Sequence, residues 1–468
     1  MLIRGAELWT GGGADRVEDL RIADGRIAEI GSLPPRPGER VIDARRGLLL
    51  PGLHDHHVHL AGLAVRAESV WCGPPDVTSA ADFAERLSRP GEGWIRAIGY
   101  HESVLGSLPD ARELDRYVAD RPLRLQHRSG RMWLLNSAAL DLLVAAAPPP
   151  PGLERDGSGY TGRLFDEDAW LRQALASAPP DLSRVSRDLA ALGITGVTDM
   201  TPGNDPAMAR HFAGQRASGA LRQDLWLAGT PALAGAEPGD WRLGPVKLHL
   251  HEAALPDFDE ALALVATARS QGRAVAIHCV SEVELVYAVA LLEEAGSAPG
   301  DRIEHASVAS LPLVERMAAL GLAVCVQPHF VAERGDRYLR DVEPRHRPDL
   351  YRLSTLTAHG IALAGGSDAP FGQPDPWAAM RAAVDRQTAE GQSLGPAEAL
   401  SPEQALALYL AAPDDLGRQR EIAVGGAADL VLLSRPWAQA RRQLGRDAVA
   451  MTMIAGEIVY LSADAAQE

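Results

Sequence analysis

Lysine is almost missing from this chain: of 46 basic residues, 45 are arginine and one, Lys247, is lysine. A GC-rich coding bias accounts for the trend, because arginine replaces lysine wherever only positive charge matters. An amine can be deprotonated or modified, whereas a guanidinium effectively cannot. The position of Lys247 therefore decides between chance survival and a role that arginine cannot fill. Cysteine is scarce as well. Cys72, Cys279 and Cys325 show no CxxC spacing, which excludes a disulfide scaffold and fits a reducing compartment. No run approaches the 18 apolar residues of a membrane span, and MLIRGAELWTGGG lacks a signal-peptide core. The net charge of −16, with no Lys/Arg cluster, argues against a nucleic-acid or anionic-membrane surface. The expectation is a cytoplasmic protein acting on a small molecule, without nucleic-acid or membrane partners.

What is present is ordinary globular composition, 46% hydrophobic and 23% charged over 468 residues. That length predicts two to four domains, or one large barrel with an accessory domain. Residues 18–30 alternate apolar and polar about Asp24-Gly25, a hairpin signal. Near the other end, 429–433 reads as a strand and 449–461 as a hairpin turning at Ala455-Gly456. The two β-rich ends, 1–51 and 421–468, predict one β-sandwich. Between them, strands are expected at 52–59, 194–200, 224–229, 245–251, 273–279, 302–306, 322–328 and 360–367. Helices such as 259–270 and 282–294 separate them, with Gly193, Gly272, Gly296 and Gly321 at C-cap positions. Eight strands alternating with helices predict a (β/α)8 TIM barrel, an α/β fold, over 52–420. Residues 60–190 are left over and read as an insertion after barrel strand one, with strands of their own at 94–100 and 123–127.

The chemistry concentrates at strand ends. In Pro51-Gly52-Leu53-His54-Asp55-His56-His57-Val58-His59-Leu60, alternation puts His57 and His59 on one face with Asp55. Such an HxH pair can grip one metal ion. Lys247, His278, His305 and Asp368 end or follow four later strands. Each alone is weak, but together they place candidate ligands on strands one, four, five, six and eight of one barrel. Imidazole and carboxylate donors suit zinc and similar divalent ions.

With these residues the sequence resembles the metal-dependent amidohydrolase superfamily. PGLHDHHVHL is similar to its PGxxDxHxH signature, and the order HxH, Lys, His, His, Asp to its binuclear members. The branch containing N-substituted formamide deformylases is closest in pattern. It shares an NSxAL segment (136–140), a DGxxTG-like segment (156–162), RIEHA (302–306), Gln327-Pro328, GSDAP (366–370) and a GxxADLVLL tail (426–433). The resemblance implies that His57, His59 and Asp368 hold one divalent ion and His278 and His305 a second, both zinc. It implies that Lys247, carboxylated by carbon dioxide, bridges them, and that Asp368 is the general base. An ammonium repels metal ions, whereas its carbamate is an anion with two oxygens. Departures bear on the substrate. His251-Glu252 stands where the branch has Asp-Gly, Arg131 where it has histidine before NSxAL, and Leu410 where a threonine follows the tyrosine.

His249, one pleat beyond Lys247, is a candidate substrate contact or competing ligand. His101, His127, Arg131 and Trp133 are candidates to line the insertion side of a pocket. The expected function is metal-dependent hydrolysis of a non-peptide carbon–nitrogen bond in an amide, formamide or cyclic amide. Phosphotriesterase-like or lactonase chemistry at the same centre is the rival among enzymes, and a metal-binding regulatory protein without turnover the rival of another class. A homodimer is the assembly considered.

Overall fold

Eight parallel strands pair in chain order: strand 1 (Leu53–Val58), strand 2 (Ile194–Asp199), strand 3 (Asp224–Gly229), strand 4 (Arg242–His249), strand 5 (Val275–Cys279), strand 6 (Arg302–His305), strand 7 (Ala323–Val326) and strand 8 (Leu363–Gly365). A bridge from Val58 to Ala369 returns the last strand to the first. Hydrogen bonds from Asp368 N to His57 O and from His59 N to Ala369 O, 2.7 and 2.8 Å, extend that seam. The protein is described here by a computed structural model. The described residues are 1–463 other than 12, 75, 89–90, 158 and 176–178, with the side chains of 14, 15 and 169 also outside the description. Gly12 of the N-terminal glycine run and Ser158 of the 156–162 segment thus lie outside it.

All eight expected barrel strands form, and their apolar runs suit strands buried on both faces. Strands 7 and 8 end earlier than the sequence pattern suggests. Pro328 has no N–H for the ladder, and Asp368 adopts φ 52°, which turns the chain out of the sheet. The helix after strand 4, Phe258–Ser270, starts on an Asp257 cap. That after strand 5, Glu282–Ala295, starts on a Ser281/Glu284 capping box.

The terminal strands form one continuous eight-stranded sheet. Leu48–Pro51 joins the two ends, pairing with Leu2–Trp9 on one side and Leu430–Leu433 on the other. Both expected hairpins are present. Their central residues, Asp24-Gly25 and Ala455-Gly456, all have positive φ, as type I′ turns require. The two turns touch: a Cβ on Gly25 would lie 2.9 Å from the carbonyl oxygen of Ala455.

The chain divides into two compact units, one comprising Met1–Leu60 with Asp181–Glu468, the other Ala61–Pro180. The second holds a six-stranded sheet. In spatial order its strands are Leu153–Asp156, Gly159–Phe165, Met132–Leu135, Leu123–His127, Ile95–Tyr100 and Val70–Trp71. One cluster around Phe83, Tyr100 and Leu125 and another around Trp133, Leu143 and Leu164 form its core. Among the described residues, no helix is long and apolar enough to cross a membrane.

Candidate metal centre

Strand 1 carries two imidazoles to the C-terminal mouth of the barrel, where active sites of this architecture lie. His57 Nε2 and His59 Nε2 lie 3.3 and 3.2 Å from the same Asp368 Oδ1. The seam between strands 1 and 8 sets that approach, because a Cβ on Gly366 would run into His57. His57 Nδ1 sits 2.5 Å from Glu304 Oε2. An ionised carboxylate only accepts, so the proton is on Nδ1 and the Nε2 lone pair faces the Asp368 oxygen. Two acceptors so placed repel, and a cation between them removes the repulsion. His59 Nδ1 pairs with Thr201 Oγ1 at 3.1 Å.

A second group faces the same space from strands 4, 5 and 6. The His305 ring centroid lies 4.9 Å from that of His57 and 4.5 Å from that of His278. His305 Nδ1 pairs with Gln327 Oε1 at 2.7 Å, which leaves its buried Nε2 without a partner. Lys247 Nζ is likewise buried and unpartnered. Burial pushes the Lys247 pKa down, with Glu304 pulling against it. Its charge depresses both His57, of the first group, and His278, of the second. Lys247 therefore acts on both.

His57, His278 and His305 stay neutral. Burial holds His57 and His305 well below the ordinary imidazole range and takes His278 down to about 3, with Lys247 adding to it there. Metal ligation requires this unprotonated form. Converging imidazole and carboxylate donors, orphaned Nε2 and Nζ atoms, and carboxylate or amide partners fixing the far ring nitrogens fit divalent ions.

The structure brings together all six residues expected as ligands. His249 is exposed, its ring centroid 4.4 Å from that of His278. The other four candidates belong to the Ala61–Pro180 unit. There Arg131 closes both prongs of its fork on Asp166, at 2.8 and 2.6 Å. Trp133 is buried and donates Nε1–H to Asp168 at 2.7 Å. His101 and His127 both turn Nε2 toward Glu102, at 3.6 and 3.1 Å.

Glu304 was given no role by the sequence reading, and Asp55 was placed only on the face of His57 and His59. Alternation would turn Glu304 away if His305 faces the site, but His305 has φ 72°, so both neighbours face it. Glu304 also accepts from Arg302 Nε at 2.5 Å. Asp55 Oδ1 accepts from His57 N and Ser367 N, at 3.1 and 2.9 Å, tying strand 1 to strand 8. Phe371, 65% exposed, sets its ring edge-on to His59 with centroids 5.6 Å apart.

A model of the amidohydrolase family matches residues 40–460. The chain is 28% identical to the amidohydrolase YtcJ of Bacillus subtilis, covering 95% of this chain and 96% of that one. It is also 28% identical to an N-substituted formamide deformylase of Arthrobacter pascens, over 88% and 89% of the two chains. An uncharacterized metal-dependent hydrolase from Pyrococcus furiosus has the same fold, with a TM-score of 0.76 at 24% identity over 93% of this chain and 98% of that one.

Proposed function

The chain belongs to the amidohydrolase family and is a hydrolase of carbon–nitrogen bonds; from that premise we propose a binuclear centre that cleaves an N-substituted amide, formamide or cyclic amide. The observation that carries this reading is the convergence of His57, His59 and Asp368 beside unpartnered His305 Nε2 and Lys247 Nζ. His57, His59 and Asp368 would hold one divalent ion, His278 and His305 a second, with zinc the best match to these donors. When bound, such ions polarise a carbonyl and acidify water.

Lys247 would react through its neutral amine with carbon dioxide, forming an N–C bond and releasing one proton. The product is an anion of two oxygens, placed to reach both groups of imidazoles. Burial favours the neutral amine that this requires. Asp368 would take the proton of the attacking water and return it to the leaving nitrogen. Glu304 and Gln327 hold the rings of His57 and His305 in the required tautomers. Buried, unbridged Cys72, Cys279 and Cys325 support a cytoplasmic setting.

Elemental analysis of protein purified without chelator tests the centre. Two divalent ions per chain are expected, and a reproducible value well below one would remove the reading. Asp368→Asn should cost activity by about 10²–10⁴-fold with the circular dichroism spectrum unchanged. Activity within threefold of wild type would assign the base elsewhere.

A further inference from the structure

The Ala61–Pro180 unit holds a pair of cations, Arg96 and Arg124, that form no ion pair with a carboxylate among the described residues. Arg96 and Arg124 are direct partners on neighbouring parallel strands, so their side chains leave one face of the sheet about 4.8 Å apart. Both guanidiniums lie over Trp133, 5.4 and 5.7 Å from its ring centroid, and that of Arg124 also lies 5.9 Å from Trp94. Neither has a hydrogen bond or ion pair among the described residues, and the Nε of each is enclosed without a partner.

Like charges side by side on one sheet face are destabilising. Burial and then Arg124 hold the Arg96 guanidinium down at about 10, while Asp168 and Glu68 act on it only from beyond ion-pair range. Asp168 is already engaged by Trp133. This happens in a chain with 62 acidic against 46 basic residues, so carboxylates are not in short supply. Arg131, His101 and His127, by contrast, each face an acid of the same unit. Asp166 occupies Arg131. His101 and His127 accept Ser103 and Ser129 N–H at Nδ1, which leaves their Nε2–H facing Glu102.

We infer that Arg96 and Arg124 form a binding site for a dianionic oxyanion, a phosphoryl group or a dicarboxylate. Stacking on an indole uses the face of a guanidinium and leaves its edge N–H groups free for paired bonds to such a group. Two adjacent forks match two negative charges. The indoles hold the forks in place and report on occupancy. The site stands independently of the metal centre, and its test reads binding rather than turnover.

The full-length protein is titrated with inorganic phosphate and, separately, with malonate, at constant ionic strength set by potassium chloride, following tryptophan fluorescence. At least one probe should give a saturable change at millimolar concentration, and which one does so distinguishes the phosphoryl from the dicarboxylate ligand. Arg96→Gln and Arg124→Gln should each weaken it by about tenfold or more, the size of one lost charge-assisted fork. Arg131→Gln should leave it unchanged. Arg124→Lys keeps the charge but loses the fork, and should also weaken binding. Without probe, Arg124→Gln should melt no lower than wild type, because it relieves repulsion. Absence of saturation with both probes, or saturation indifferent to all three Arg96 and Arg124 variants, overturns the site.

Discussion

Glu304 orients His57, a proposed metal ligand, from beside it. Burial alone would raise its pKa, but Arg302, Lys247 and His305 reverse this, and it is held below the ordinary glutamate value. As an anion it accepts from His57 Nδ1 and so points the Nε2 lone pair at Asp368 Oδ1, where the proposed ion would sit. Glu304→Gln should lower metal affinity 10–100-fold, the range for partners that orient ligating histidines. Titration of apo-protein against a competing chelator reads this, and unchanged affinity would mean another group sets the His57 tautomer. Lys247 is the sharper case. A permanent cation between two metal ions is untenable, so Lys247→Arg should lose both the second ion and turnover. Normal turnover with two bound ions would end the bridging role.

At the scale of elements, the seam between strands 1 and 8 holds the first group of candidate ligands together. Asp55 binds Ser367 N, Asp368 N binds His57 O, and His59 N binds Ala369 O. Strand 8 can approach this closely only because position 366 lacks a side chain. Gly366→Ala must push the strands apart at His57. The expected cost is about 1–3 kcal/mol, as for overpacking elsewhere, read as a lower urea midpoint at unchanged slope. Metal affinity should fall with it, since His57 and Asp368 move apart. Wild-type stability and affinity would show the seam to be compliant.

For the whole molecule, the buried histidines couple stability to pH. Burial is the first cause of the depressed pKa values of His54, His56, His57, His278, His305 and His329, with His278 at about 3 and His329 at about 4. The unfolded chain binds these protons near pH 6.5. Below that pH the unfolded state therefore holds more protons, and stability falls as pH falls. Asp55, raised to about 6 mainly by burial, runs the other way: its penalty grows as pH rises from about 3.9 to 6. Six groups outweigh one, so chelator-treated protein should melt progressively lower from pH 7 to pH 5. A flat profile would contradict the buried neutral set. Restoring metal at 100 times its Kd should add about 2.7 kcal/mol per site.

Local interactions were legible in the sequence. The hairpins at Asp24-Gly25 and Ala455-Gly456, the eight strands and the helix ends at Gly272 and Gly296 all depend on residues within a few positions. The six candidate ligands were legible for the same reason: five sit at or just past a strand end, and Lys247, inside strand 4, is the one lysine of the chain. Tertiary structure alone decided the rest. Glu304 and His305 face one site because a left-handed residue breaks the alternation. Arg131 is taken up by Asp166, 35 residues away, while Arg96 and Arg124 meet without a counter-ion among the described residues. Periodicity determines which face a side chain takes. The side chain opposite it is set by the register of strands distant in sequence, which no local pattern encodes.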